Sequence, residues 1–280
     1  GRYTLVENNF IHDCNRVLKK WNWGPIGIWL GSDYQEVCYN KIFNYRAVDP
    51  RINWGPNSYG GSADGGAIEI DDARINKSNI SIHHNYTRDC QGFLEVTWSD
   101  IQQNPQYTNF EIHHNISDDF QQFVALWCGA ECRIENNTII RRKVNENDWG
   151  VFNITQKDSK NFIRNNIIVV ENDVVIFNVG KNGNAQPANI IENNLYYAAS
   201  GNLNMGKEGA GNKPIFGNPL FLNYRESGIP KDFSITRKSP AKQILARLKF
   251  RREIHQMWEL LSSMNRFKKL LLLISSGNKE

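Results

Sequence analysis

"ISIHHNYTRDC" (residues 80–90) is echoed thirty residues later by "FEIHHNISDD" (110–119). Each holds an apolar residue, a variable residue and a polar pair ending in Asn, between stretches of period-2 alternation. The pattern also appears as "VENNFIHDC" (6–14), "VCYNKIFNY" (37–45), "CRIENNTII" (132–140), "NFIRNNIIV" (161–169) and "NIIENNLYY" (189–197). The closing Asn of each copy is Asn9, Asn40, Asn85, Asn115, Asn137, Asn166 and Asn194, at intervals of 31, 45, 30, 22, 29 and 28 residues. Such a period marks a repeat architecture.

Between successive Asn pairs lies a further short apolar stretch: "GIWLG" (27–31), "GAIEID" (66–71), "GFLEVTW" (92–98), "FVALW" (123–127), "GVFNIT" (150–155) and "VVIFNV" (174–179). Each unit therefore reads as strand, Asn turn, strand, loop. No convincing amphipathic helix precedes residue 240. A unit of this size cannot bury a face alone and must stack on its neighbours. Stacking with strands in register yields an all-β parallel β-helix of about seven coils. The asparagines then form a column of amides that hydrogen-bond from coil to coil, in a turn that tolerates left-handed backbone.

This pattern resembles the right-handed parallel β-helix proteins of the pectate-lyase-like superfamily, over about Tyr3 to Pro240. The stretch "NPLFLNYRESGIPKDFSITRKSPA" (218–241) is similar to the closing segment of many secreted bacterial members. The resemblance implies a secreted, periplasmic or surface protein acting on a polysaccharide, with the 1–240 domain shortened at its N-terminus and the signal peptide outside this chain. A monomer is expected. Members include lyases, hydrolases, epimerases and non-enzymatic tailspikes, so the fold does not assign the activity.

Alternation within the second strands points Ile68/Ile70, Leu94/Val96, Val124/Leu126 and Phe152/Ile154 inward. The outward row is then Trp29, Glu69, Glu95, Ala125 and Asn153, and the next outward position is Asp71, Thr97, Trp127 and Thr155. Glu69 and Glu95 stack directly, with Asp71 diagonal to both. Like charges about 5 Å apart repel unless a cation, a shared proton or a cationic neighbour offsets them. Such a pair suits glycoside hydrolysis, with one carboxylate as acid and the other as nucleophile or base. Glu69, Asp71 and Glu95 could instead hold Ca²⁺ in a polysaccharide lyase. A solvated acidic face is the plain alternative. The segment "ADGGAIEIDDARINKSNISIHHNYTRDCQGFLEV" (63–96) resembles an Asp-Gly-x-Gly-x-x-x-Asp stretch followed by an Asn-Tyr-x-x-Asp turn, seen in secreted β-helix proteins. Asp64, Gly65 and Asp71 match the first part, Gly66 departs from it, and Asp64 is placed beside the same cleft.

The tetrapeptide NWGP occurs at 22–25 and 53–56, and its interval equals that between Asn9 and Asn40. Trp23 and Trp54 therefore stack on adjacent coils, either packing their loops or forming an aromatic platform for sugar rings. Trp29, Tyr59 and Trp127 extend that candidate surface. His83 and His113 point outward on neighbouring coils, beside His84 and His114 at the Asn turn. They read as turn packing, or as the base and substrate contacts an elimination would need. Asp13, Asp89 and Asp119 each follow their Asn by four residues and read as turn caps. Cys128 and Cys132, in "CGAEC", could close a small loop.

Charge is uneven. Residues 237–280 hold 11 Lys/Arg and 3 Asp/Glu, while the preceding 236 hold 22 and 26. The acidic body gives no reason to expect nucleic-acid binding, and no run is long enough to span a membrane. After Ala241 the chain reads as a basic amphipathic helix, a tail domain over 241–280. It is either a cap on the solenoid, a membrane-surface helix, or a stretch foreign to the fold such as a shifted reading frame. Three functions stand at this point: a glycoside hydrolase acting in a groove along the coils, without cofactor; a Ca²⁺-dependent lyase; and a non-catalytic glycan-binding or adhesive solenoid.

Overall fold

The computed structural model describes residues 1–14, 25–45, 66–72, 75–97, 107–129, 131–142, 150–154, 160–171, 174–179, 189–224 and 229–247. The chain divides into two units, Gly1–Pro240 and Ala241–Glu280. In the second, the described residues include a short helix, Lys242–Arg247.

The first unit is a parallel β-helix with three sheets. Sheet A contains Leu5–Glu7, Glu36–Cys38, Lys77–His83, Tyr107–His113, Arg133–Glu135, Phe162–Arg164 and Ile190–Glu192. Sheet B runs from Phe10–Cys14 through Lys41–Tyr45, Tyr86–Arg88, Ile116–Asp119, Thr138–Arg141, Ile167–Val170 and Leu195–Ala198 to Ile215–Phe216. Sheet C stacks Ile26–Leu30, Gly66–Ile70, Leu94–Val96, Val124–Leu126, Phe152–Ile154, Val175–Val179 and Asn204–Gly206. Every coil thus has three strands rather than two. The difference lies at the Asn turn, which is sharp enough to send the residues on its two sides into different sheets.

The turn works through its amides. The Asn40 Oδ1 accepts both the backbone N–H (3.0 Å) and the Nδ2 (2.9 Å) of Asn9. The same pair of bonds links Asn40 to Asn85, Asn85 to Asn115, Asn115 to Asn137, Asn137 to Asn166 and Asn166 to Asn194. Each amide also donates across to a strand carbonyl, as Asn115 does to Ile82 at 2.9 Å. Six of the seven asparagines are at most 1% exposed, so every polar atom here needs the partner it has. The left-handed residue is the one before: Asn8, Tyr39, His84, His114, Asn136, Asn165 and Asn193 all have φ between 55° and 59°. A non-Gly residue there costs roughly 1–2 kcal/mol. At three adjacent coils ring stacking offsets it, Tyr39 on His84 at 5.0 Å and His84 on His114 at 5.1 Å.

Inside the coils lies one apolar column, including Val37, Ile82, Ile112, Ile134 and Ile163 from sheet A and Ile68, Ile70, Leu94, Val96, Val124, Leu126, Phe152 and Ile154 from sheet C. The residues expected to face inward in sheet C all do. Each aliphatic side chain buried this way contributes roughly 1.5–3 kcal/mol.

Sheet B differs from the other two because its outer face is apolar. Phe43, Tyr86, Ile116, Ile140 and Val169 form a second cluster with Phe221 and Phe233 of the closing segment, which folds back over them. Phe233, at the end of a 3₁₀ turn (Pro230–Phe233), sits edge-on to Tyr86 at 5.6 Å. Where the sheet B strands end, Asp13 and Asp89 take up left-handed backbone. Asp119 does not. It is buried, accepting the Ser117 hydroxyl (2.6 Å), the Thr87 hydroxyl and the Cys90 N–H of the neighbouring coil (2.9 Å). Burial outweighs those bonds and pushes its carboxyl up to about 6. Beside it Arg142 lies 3.2 Å from buried Asp118 and 2.7 Å from Asp89. Burial opposes its charge, but these carboxylates prevail and hold its pKa above the ordinary value.

Candidate functional site

The outward faces of sheets A and C each carry a column of ionisable groups. In sheet C the register is Trp29 to Glu69, Glu69 to Glu95, Glu95 to Ala125 and Ala125 to Asn153. The stacking of Glu69 on Glu95 is therefore a property of the fold. The ladder continues past the strand ends: the Asp71 N–H donates to Leu30 (2.9 Å), that of Thr97 to Ile70 (2.9 Å) and that of Trp127 to Val96 (3.2 Å). Asp71, Thr97 and Trp127 hence form the second column.

Two indoles bind this acidic patch. Trp29 Nε1 donates to Asp71 at 3.3 Å, and Trp127 Nε1 donates to Glu95 at 2.7 Å. Trp29 is 53% exposed, and its ring lies over Gly31, where a Cβ would come within 2.6 Å of the six-membered ring. A glycine is required for that close approach. Glu69 is only 8% exposed, which removes the solvated-face alternative for it. Farther along, Glu95 is partly exposed, and Ala125 and Asn153 are buried. Gly66, Glu69, Gly92, Glu95 and Gln122 line a narrow crevice beside the pair.

Sheet A carries a different column. Glu7, Cys38, His83, His113, Glu135, Arg164 and Glu192 are successive register partners. His83 stacks on His113 at 4.9 Å with ring planes 4° apart, and His84 stacks on His114 in the same manner. Within each coil the two Nδ1 atoms meet, at 2.9 Å for His83–His84 and 2.8 Å for His113–His114. Burial first, then the neighbouring imidazoles, lower the pKa of His84 to about 3 and of His113 to about 4, and His114 is lowered too. These three rings are neutral near pH 7. His83 turns its Nε2 to the Glu36 carboxylate at 2.9 Å. Cys38 is buried beneath them, and burial, followed by the charge of Glu36 and Glu7, pushes its thiol up to about 12. Among the described residues, Glu36, Cys38 and His83 are the three whose ligand atoms lie within 4.8 Å of one another.

The expected site residues thus separate. Glu69, Glu95, Asp71, Trp29 and Trp127 are brought together on sheet C, whereas His83 and His113 stand on sheet A. Asp64, Trp23, Trp54 and Tyr59 lie outside the described residues. Cys128 and Cys132 do not close a loop: neither forms a disulfide, and Cys128 Sγ donates to the Thr97 carbonyl at 3.2 Å. Sequence reasoning overlooked Glu36 and Cys38, although Cys38 and His83 each sit two residues before a ladder Asn. Among the described residues no helix is long and apolar enough to cross a membrane. Comparison of the chain with protein-family models, curated proteins and solved structures gives no match.

Proposed function

We propose that this chain is a glycoside hydrolase of the pectate-lyase-like β-helix type, cleaving an extracellular polysaccharide laid along sheet C. The observation that supports this reading is the coil-to-coil register of Glu69 and Glu95, two carboxylates held side by side with an exposed indole at one end of their column. Hydrolysis of a glycosidic bond needs such a pair: one carboxyl protonates the leaving oxygen while the other attacks, or activates water, at the anomeric carbon. Glu95, partly exposed and accepting a hydrogen bond from Trp127, is assigned the nucleophile or base. Glu69, nearly buried, is assigned the acid. Trp29 offers a ring face for a sugar, with Asp71 orienting it. Of the bases an elimination could use, His83 and His113 stand on sheet A and not beside Glu69 and Glu95.

The test is incubation with a panel of neutral and uronate-containing polysaccharides, with two readouts. New reducing ends without ultraviolet absorbance from unsaturated uronate are expected. Both signals together, lost in chelator and restored by Ca²⁺, would replace hydrolysis by Ca²⁺-dependent elimination around Glu69, Asp71 and Glu95. A glycan retained by the protein with neither signal would leave a binding solenoid.

A further inference from the structure

We propose that Glu36, Cys38 and His83 form a binding site for a thiophilic divalent cation of the Zn²⁺ class, on sheet A and separate from the carboxylate pair. Glu36 and Cys38 are the first and last residues of a three-residue strand, so both project from the same face while Val37 enters the core. His83 is the register partner of Cys38 on the next coil. The carboxylate oxygen, the sulfur and an imidazole nitrogen already lie within 4.8 Å of one another. A tetrahedral Zn²⁺ with bonds of 2.0–2.3 Å places its ligands roughly 3.3–3.8 Å apart, so the set has to contract by about 1 Å. Glu36, with its side chain 50% exposed, can supply that movement.

The second nitrogen of His83 is held as a metal-binding histidine requires. With Nε2 on the cation, Nδ1–H donates to His84 Nδ1, now 2.9 Å away, and His84 is itself stacked between Tyr39 and His114. Thiolate plus carboxylate balance a divalent charge, and a thiolate with an imidazole selects Zn²⁺, Co²⁺ or Ni²⁺ over Ca²⁺ and Mg²⁺. On binding, the Cys38 S–H bond breaks, its proton leaves to solvent and a sulfur–metal bond forms. His83 Nε2 exchanges its bond with Glu36 for one to the cation. The fourth position is left to water on the Glu36 side.

Co²⁺ titration of the tag-free, chelator-washed full chain tests this. One equivalent should produce a thiolate-to-cobalt charge-transfer band and tetrahedral visible bands, both removed by one equivalent of Zn²⁺. Cys38→Ser should abolish the charge-transfer band. His83→Gln and Glu36→Gln should each weaken Co²⁺ binding by about tenfold or more, with unchanged far-ultraviolet circular dichroism as the control for folding. Cys128→Ser and Glu69→Gln should leave binding unchanged. Absence of the band in the wild-type chain overturns the proposal, as does a band that survives Cys38→Ser and disappears in Cys128→Ser. If Cys38→Ser does not fold, the two ligand variants that retain the thiol decide the outcome.

Discussion

Sheets A and C apply the same device to opposite chemistry. Parallel in-register stacking puts like side chains about 4.8 Å apart on successive coils. In sheet A the stacked groups are imidazoles, which pair through Nδ1 and tolerate burial, with His84 and His113 held neutral by it. In sheet C they are carboxylates, which repel each other when both are charged, and an indole N–H bonds Glu95. A solenoid therefore converts a self-neutralising group into a structural column, whereas an acid in the same place becomes a candidate for work. The amide ladder is the limiting case, since it never carries charge.

Turnover gives the largest contrast. Glu69→Gln or Glu95→Gln should lower hydrolysis by about a thousandfold or more while hardly moving the unfolding midpoint. His113→Gln should leave turnover within about twofold. The reverse pattern would place the chemistry on sheet A.

Stability comes next. Asn115→Ala strips the Asn85 N–H and Nδ2 of their acceptor, and the Ile82 carbonyl and Asn137 Oδ1 of a donor, all buried. It should cost about 3 kcal/mol or more in urea unfolding. Asn9→Ala, at an exposed end of the same ladder, should cost about 1 kcal/mol. Equal costs would mean that the ladder is not what holds the coils in register.

Acid should act on sheet A more than on sheet C. His84 and His113 have folded pKa values of about 3 and about 4, below the ordinary 6.5. Between those limits the unfolded chain takes up protons that the folded chain refuses, so stability is present above pH 6.5 and is lost as pH falls toward 4 and 3. The loss is on the order of a few kcal/mol. Asp119 opposes it: its folded value of about 6 exceeds the ordinary 3.8, so its contribution is full below 3.8 and is lost as pH rises through 6. Asp119→Asn should therefore steepen the acid loss, read as urea midpoints at pH 7, 5 and 4. A flat profile would show that the imidazoles titrate normally.

The smallest effect is Trp29→Ala. Loss of one stacking face should raise KM by roughly fivefold, about 1 kcal/mol, with kcat little changed.

The amide ladder, the inward residues of sheet C and the pairing of Glu69 with Glu95 are all legible in the sequence, because period 2 and a repeated Asn fix which residues share a column. The third strand per coil is not, since nothing local distinguishes a sharp corner from a gentle turn. Cys38 and Glu36 escaped for another reason. Forty-five residues separate Asn40 from Asn85, the widest interval in the repeat, and it conceals that Cys38 and His83 are neighbours. Aligning every coil on its ladder Asn would have shown the column.

What this sequence determined by itself is which side chains stand above one another, since register in a parallel stack follows from spacing along the chain. What only the tertiary structure decided is which columns meet water. The apolar outer face of sheet B is covered by the segment around Phe221 and Phe233, and Glu69 is sealed to 8% exposure while Trp29 one coil away is open. Register is a local property, carried by hydrogen bonds between successive coils. Exposure depends on segments far away in sequence that fold back over a face, and no short-range pattern encodes where they come to rest.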